Sequence, residues 1–238
     1  NILAFGELWS ARLLSAVLSE RVCPSCCIDA RQFLLIDNER QCQVMYRESK
    51  SRLNKQITPG KLAVVTGYIC RDVENNTRTL GRNGSDYSAT IMASLLGASN
   101  VILWTDVDGI YSADPRIVPS ARKLHRLPNG VARELGRLGN PVLHAKTLLP
   151  LTEHSTHLHV ASSVAPSISG TEIGSFGQIA KQELSVTYLN DLLLVRSESF
   201  IGELGQGIVD EFSAICFDGV KGFIVIHQDQ QKALSQSI

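Results

Sequence analysis

The sequence predicts an α/β protein in which a mainly parallel sheet is covered by helices on both faces, a three-layer αβα sandwich. Two observations predict it. Short apolar runs alternate with helix-patterned runs over residues 1–175, and strands separated by helices pair in parallel. The apolar runs are also nearly continuous rather than alternating, as in strands buried on both faces.

Taken in order, Leu8 to Leu18 reads as an amphipathic helix and Cys26 to Asp29 as a short strand. Gln32 to Pro59 is polar and mixed in charge, which predicts a helix with loops on the outside. Lys61 to Ile69 and Val101 to Trp104 read as central strands, and Tyr87 to Leu96 and Gly130 to Leu138 as helices. Leu158 to Ala161 is strand-like. Beyond Gly170-Thr171 the character changes. Leu184 to Val195, Ala214 to Phe217 and Gly222 to His227 read as strands, with a helix at Ile201 to Phe212 and the start of another at Gln230 to Ile238. That order fits a small ferredoxin-like α+β unit.

Two segments carry chemistry. In Thr79-Leu-Gly-Arg-Asn-Gly-Ser-Asp-Tyr87, Gly81 and Gly84 let the backbone turn tightly and bring N–H groups toward a ligand at a helix N-terminus. Arg82 adds a fork of donors suited to a carboxylate or phosphate. The same residues also suit an ordinary helix start with Ser85 or Asp86 as N-cap. The second segment, Val101-Ile-Leu-Trp-Thr-Asp-Val-Asp-Gly-Ile-Tyr-Ser-Ala-Asp-Pro-Arg116, reads as a buried strand running into a loop at its C-terminal end, where open α/β sheets bind ligands. Asp106, Asp108 and Asp114 taken singly are ordinary turn formers. Together Thr105, Asp106, Tyr111 and Arg116 offer a turn, a carboxylate, a ring and a guanidinium, a set suited to an adenosine and its phosphates.

In this order and spacing the two segments resemble the aspartate kinase branch of the amino-acid kinase family, most nearly the kinase half of bifunctional aspartokinase/homoserine dehydrogenase. The likeness runs from Phe5-Gly-Glu-Leu-Trp-Ser10 through Thr66-Gly-Tyr68 to Pro141-Val-Leu-His-Ala-Lys-Thr147 and Gly170-Thr171. It implies the amino-acid kinase fold over residues 1–175, as a catalytic domain without its N-terminal phosphate-binding segment. Residues 176–238 then form a partial ACT-like regulatory domain. The family's Lys-Phe-Gly-Gly segment is not matched, so a fragment beginning inside the kinase domain is expected. A lysine that many members carry just before Val-Leu-His is replaced here by Gly139-Asn-Pro141.

What the resemblance implies for function is ATP- and Mg²⁺-dependent phosphorylation of the side-chain carboxylate of L-aspartate. Arg82 is implied to grip a substrate carboxylate, Ser85 to hydrogen-bond the substrate, and Glu7 to pair with its α-ammonium. Asp86 is implied to organise the catalytic centre, and Thr105, Asp106, Tyr111 and Arg116 to hold the nucleotide. It further implies a homo-oligomer and an amino-acid effector, threonine or lysine, or none. Carbamate, glutamate and uridylate kinases share the sheet. A non-catalytic module binding amino acid or nucleotide for regulation or assembly is the reading from another class.

The composition fits these classes. The 23 basic and 23 acidic residues cancel, which gives no electrostatic reason to expect a nucleic-acid or anionic-lipid partner. No uninterrupted run of eighteen apolar residues and no signal-peptide pattern is present, so the expectation is a cytoplasmic protein without a membrane partner. Cys23-Pro-Ser-Cys26-Cys27 has no second pair at zinc-like spacing, and His154, His157 and His159 precede or lie in a strand-like run, where His157 and His159 share a face and no acidic or thiol ligand is expected beside them. No metal site is expected at either place, and the cysteines are read as buried reduced thiols.

Overall fold

The computed structural model describes residues 2–37, 43–140, 142–151, 156–176, 192–196, 216–218 and 223–228. A long helix, α1 (Ile2–Arg21), leads into β1 (Ser25–Ile28), a single 3₁₀ turn, β2 (Leu35–Asp37), β3 (Gln43–Val44) and α2 (Tyr46–Leu53). Then follow β4 (Leu62–Val65), β5 (Ile69–Asp72), β6 (Thr77–Thr79), α3 (Gly84–Leu96) and β7 (Asn100–Thr105). β8 (Arg126–Pro128), α4 (Asn129–Arg137), α5 (Ala145–Leu148), β9 (His157–Ser162) and β10 (Thr171–Gly174) complete the larger part, before β11 (Leu192–Arg196), β12 (Cys216–Asp218) and β13 (Phe223–His227).

Parallel pairs carry the α/β character. β1 lies parallel to β4, β2 to β5, β7 to β9 and β8 to β10. The β9–β10, β2–β3 and β5–β6 pairs are antiparallel. Sheet order is β7-β9-β10-β8 in one unit and β3-β2-β5-β6 in another, while β11-β13-β12 is wholly antiparallel. The last three strands fall on the C-terminal runs expected as strands, whereas residues 201–212 and 230–238 lie outside the described residues.

Two apolar clusters form the core, and α3 is the wall between them. Ala93 joins Leu103, Leu158, Val160 and Ile173 of the β7-to-β10 sheet, with Leu135 of α4 and Leu148 of α5. Ile91 and Leu95, on the other side of the same helix, join Ile28, Phe33, Ile36, Leu53 and Cys70. Such burial on two sides holds a helix rigidly, which fixes where its N-terminus points.

Several elements differ from expectation. The run Lys61 to Ile69 is not one strand: β4 and β5 belong to different sheets, separated at Thr66-Gly-Tyr68, where Tyr68 has a left-handed φ of 65°. Thr66 fixes that break by accepting a 2.8 Å hydrogen bond from the Ala30 N–H. Strand β7 covers the expected Val101 to Trp104 but stands at the end of its sheet, not its centre. Gln32 to Pro59 holds one helix, α2, but also β2, whose Leu35 and Ile36 are buried. That region therefore belongs to the core rather than its outside.

Helix α1 packs on β1 and β4 through a stripe of Ala4, Leu8, Ala11 and Ser15, and leaves Phe5, Trp9 and Leu13 exposed. By length and composition alone it is long and apolar enough to cross a bilayer, with a mean hydropathy of 1.3 over eighteen residues. Glu7 and Arg12 interrupt it, which is why no continuous apolar run is visible in the sequence.

Candidate active site

Glu7, Tyr68 and the whole of Gly81 to Asp86 line one cavity of about 530 Å³. Four elements bring them there: α1 supplies Glu7, the break between β4 and β5 supplies Tyr68, the loop after β6 supplies Gly81 to Asn83, and the first turn of α3 supplies Gly84 to Asp86. The loop's shape comes from two left-handed residues, Gly81 at φ 78° and Asn83 at φ 54°. Hydrogen bonds hold it to the strand break. The Leu80 N–H donates to the Tyr68 carbonyl at 2.8 Å and the Tyr68 N–H to the Ser88 hydroxyl at 2.8 Å. Ser88 in turn donates to the Gly84 carbonyl at 2.8 Å. A methyl group at Gly84 would lie 2.6 Å from the Tyr68 ring, so the close approach there depends on glycine.

Neither Ser85 nor Asp86 caps the helix. The N-cap position is Asn83, with no side-chain cap hydrogen bond, so the Ser85 hydroxyl and Asp86 carboxylate are left to face the cavity. Burial raises the Asp86 carboxyl above its ordinary value, and the Glu7 carboxyl likewise. Two partly desolvated carboxylates and the Arg82 side chain line the same cavity, a set suited to a ligand that carries both signs of charge. His144, the N-cap of α5, stands near enough to Arg82 to feel it. Burial chiefly, then Arg82 and Lys146, hold its imidazole below the usual histidine range.

The second segment forms a separate group, and none of its four expected ligand residues lines this cavity. At the C-terminal end of β7 the Thr105 hydroxyl donates to Asp106 at 3.0 Å, and Ser163 donates to the Thr105 carbonyl at 2.9 Å. The Tyr111 hydroxyl is tied to Asp108, which pairs with Lys123 at 2.6 Å. Arg116, 81% exposed, lies on Asp114 at 2.7 Å. Tyr68, Asn83, His144 and Lys123 were not assigned roles from the sequence. The first three stand inside quoted motifs, whereas Lys123 is joined to Asp108 only by the folded loop.

Among the described residues no group of three or more His, Cys, Asp and Glu side chains converges as a metal site. His157 does have an acidic neighbour, contrary to the sequence reading, because β10 places Glu172 2.9 Å from its Nδ1. Cys70 is buried as expected, but Cys23 is exposed and Cys26 and Cys27 are half-buried, and none of these four is in a disulfide.

The chain is similar to proteins with the same segments. The amino acid kinase family's sequence pattern matches residues 1–162. Bifunctional aspartokinase/homoserine dehydrogenase 2 of Escherichia coli (strain K12) is 45% identical over 175 residues, covering 73% of this chain and 22% of that protein. Lysine-sensitive aspartokinase 3 of the same organism is 31% identical over 217 residues, 86% of this chain and 48% of that one. This chain thus spans a fifth to a half of the relatives' length. The crystal structure of E. coli aspartokinase III in complex with aspartate and ADP superimposes with a TM-score of 0.75 at 27% identity, covering 92% of this chain and 52% of the other. With most of its length matched by the family pattern and its fold shared with a solved member, the chain belongs to the amino acid kinase family.

Proposed function

We propose that the chain is the kinase portion of an aspartate kinase, transferring the γ-phosphoryl group of ATP to the side-chain carboxylate of L-aspartate. The product, 4-phospho-L-aspartate, begins the synthesis of the aspartate-derived amino acids. One observation carries the choice of acceptor: Glu7 and Arg82, 75 positions apart in sequence, line the same cavity. An amino acid presents an ammonium and a carboxylate to such a pair at once, whereas a nucleotide monophosphate has no ammonium for Glu7.

The acceptor carboxylate is ionised at neutral pH and needs no general base. One of its oxygens forms a bond to the γ-phosphorus as the bond from phosphorus to the β–γ bridging oxygen breaks, and ADP leaves with that electron pair. The protein's task is to bring two anions together and hold charge spreading over the phosphoryl oxygens. Arg82 grips the substrate carboxylate, Ser85 donates to it and Glu7 holds the ammonium. Asp86 organises the reacting groups, and its partly desolvated carboxylate suits a metal–nucleotide. Mg²⁺ bound with ATP would neutralise phosphate charge. Thr105, Asp106, Tyr111 and Arg116 form the nucleotide side, at the loop leaving β7.

Residues 176–238 would form the start of an ACT-like regulatory segment. A lysine effector and homo-oligomeric assembly are the regulatory properties proposed for the full-length protein, in the cytoplasm or the equivalent plastid compartment. The E. coli aspartokinase III structure with lysine and aspartate supports lysine ahead of threonine.

The test is a hydroxamate assay with ATP, aspartate and hydroxylamine on this chain and on the full-length protein. Aspartyl hydroxamate formation by either supports the proposal. Aspartate binding without hydroxamate from both would leave a binding module and overturn the kinase reading.

A further inference from the structure

Lys146 has no role in the reading above, yet it touches both ends of the segment, a loop and the first turn of α3, that carries Arg82, Ser85 and Asp86. Its backbone is set by α5, where the Lys146 N–H donates to Nδ1 of His144 at 3.2 Å. From there the side chain crosses to α3. Its Nζ donates to the Leu80 carbonyl at 2.9 Å and lies 4.9 Å from the centre of the Tyr87 ring. Leu80 is the residue before Gly81 and Tyr87 the residue after Asp86. Both are buried, at 3% and 6% exposure, where a charge-assisted hydrogen bond and a cation over a ring gain most from the lower dielectric.

The Leu80 peptide is thereby held on both sides, its N–H by the Tyr68 carbonyl and its carbonyl by Lys146. Between these anchors run two residues at positive φ and a helix start without a side-chain cap, so the loop's shape depends on how its ends are fixed. We infer that Lys146 is a positioning residue. By fixing Leu80 relative to Tyr87 it sets where the Arg82 fork and the Ser85 and Asp86 side chains meet the substrate carboxylate. Its charge is directed to Leu80 and Tyr87, so it acts on the substrate only through the loop. This inference rests on the reading of the cavity as an amino-acid site.

The test compares Lys146→Met and Lys146→Arg with wild type in the full chain, using one readout that needs no substrate. Native-state trypsin cleavage after Arg82, monitored by mass spectrometry, should quicken about tenfold in Lys146→Met and return near the wild-type rate in Lys146→Arg. In steady-state assays the KM for aspartate should rise about tenfold and kcat fall with it, because the same segment carries Asp86, while the KM for ATP stays within about twofold, and both should recover with arginine. Wild-type cleavage rates in Lys146→Met overturn the inference whatever the activity. Faster cleavage in a protein whose wild type never turns over aspartate keeps Lys146 as the loop's anchor and refutes the aspartate reading instead. If Lys146→Met does not fold by circular dichroism, Lys146→Gln, one bond shorter and uncharged, replaces it. An unchanged cleavage rate there overturns the inference equally.

Discussion

Arg82, in the loop, and Asp86, in the first turn of α3, sit four positions apart, yet they should fail differently when altered. Arg82→Lys replaces a planar fork by a point charge, so the KM for aspartate should rise by the equivalent of about 1.5–3 kcal/mol while kcat changes less. Asp86→Asn should lower kcat more than it weakens aspartate, and equal effects of the two variants on both parameters would refute their assigned roles. The carboxyls also predict a pH dependence. Burial raises Glu7 and Asp86 above ordinary values of 4.5 and 3.8. The folded chain therefore holds these protons to higher pH than the unfolded chain, and the ligand-free protein loses that contribution as pH rises through the folded values. Aspartate affinity should show the opposite sense. Its ammonium needs ionised carboxylates, so calorimetric affinity should fall as pH is lowered from about 8 to about 5. A flat profile would remove Glu7 from the ammonium site.

At the scale of elements, the approach of the loop before β10 to β9 is set by Gly170, where a methyl group would overlap the Val160 carbonyl oxygen. A backbone atom cannot step aside, so Gly170→Ala should destabilise by about 3 kcal/mol or more in chemical denaturation. Gly6→Ala, in the interior of α1 with nothing within 4 Å of the added carbon, should instead stabilise by about 0.5–1 kcal/mol. Helices α3 and α4 were legible in the sequence because each repeats its apolar positions over two turns or more, whereas α1 was legible as a helix but not as the amphipathic one expected, since Phe5, Trp9, Leu13 and Leu14 leave its outward face apolar too. The split between β4 and β5 was not, since Val64-Val65-Thr66-Gly67-Tyr68-Ile69 keeps strand composition across the break. What interrupts it is the turn at Tyr68 and a hydrogen bond to distant Ala30. Nor was β2, whose three residues are too short to show a period. In the candidate site the same limit applies. The 81–86 segment is local and announces itself, whereas the anchor at Lys146 and the Lys123–Asp108 pair exist only once distant segments meet.

For the whole molecule, the residues after β7 do not line the cavity on α1 and α3, so under the proposed kinase reading a nucleotide has to reach from one to the other. ADP titrated against wild type and Arg116→Ala should show weaker binding to the variant, because the exposed Arg116 can exchange its half-buried Asp114 partner for a more highly charged phosphate. Equal affinities would exclude Arg116 from the nucleotide side. The exposed face of α1 bears on how any of these experiments can be followed optically. The chain's two tryptophans are Trp9 on that face and Trp104 on β7, 68% and 55% exposed. Indole emission from the native chain should thus already lie close to the wavelength of the denatured chain. Unfolding will then be nearly silent in fluorescence colour while circular dichroism still reports it. Conversely, a shift of that emission to the blue, or protection from iodide quenching, would signal that another surface has come to rest on Trp9 or Trp104.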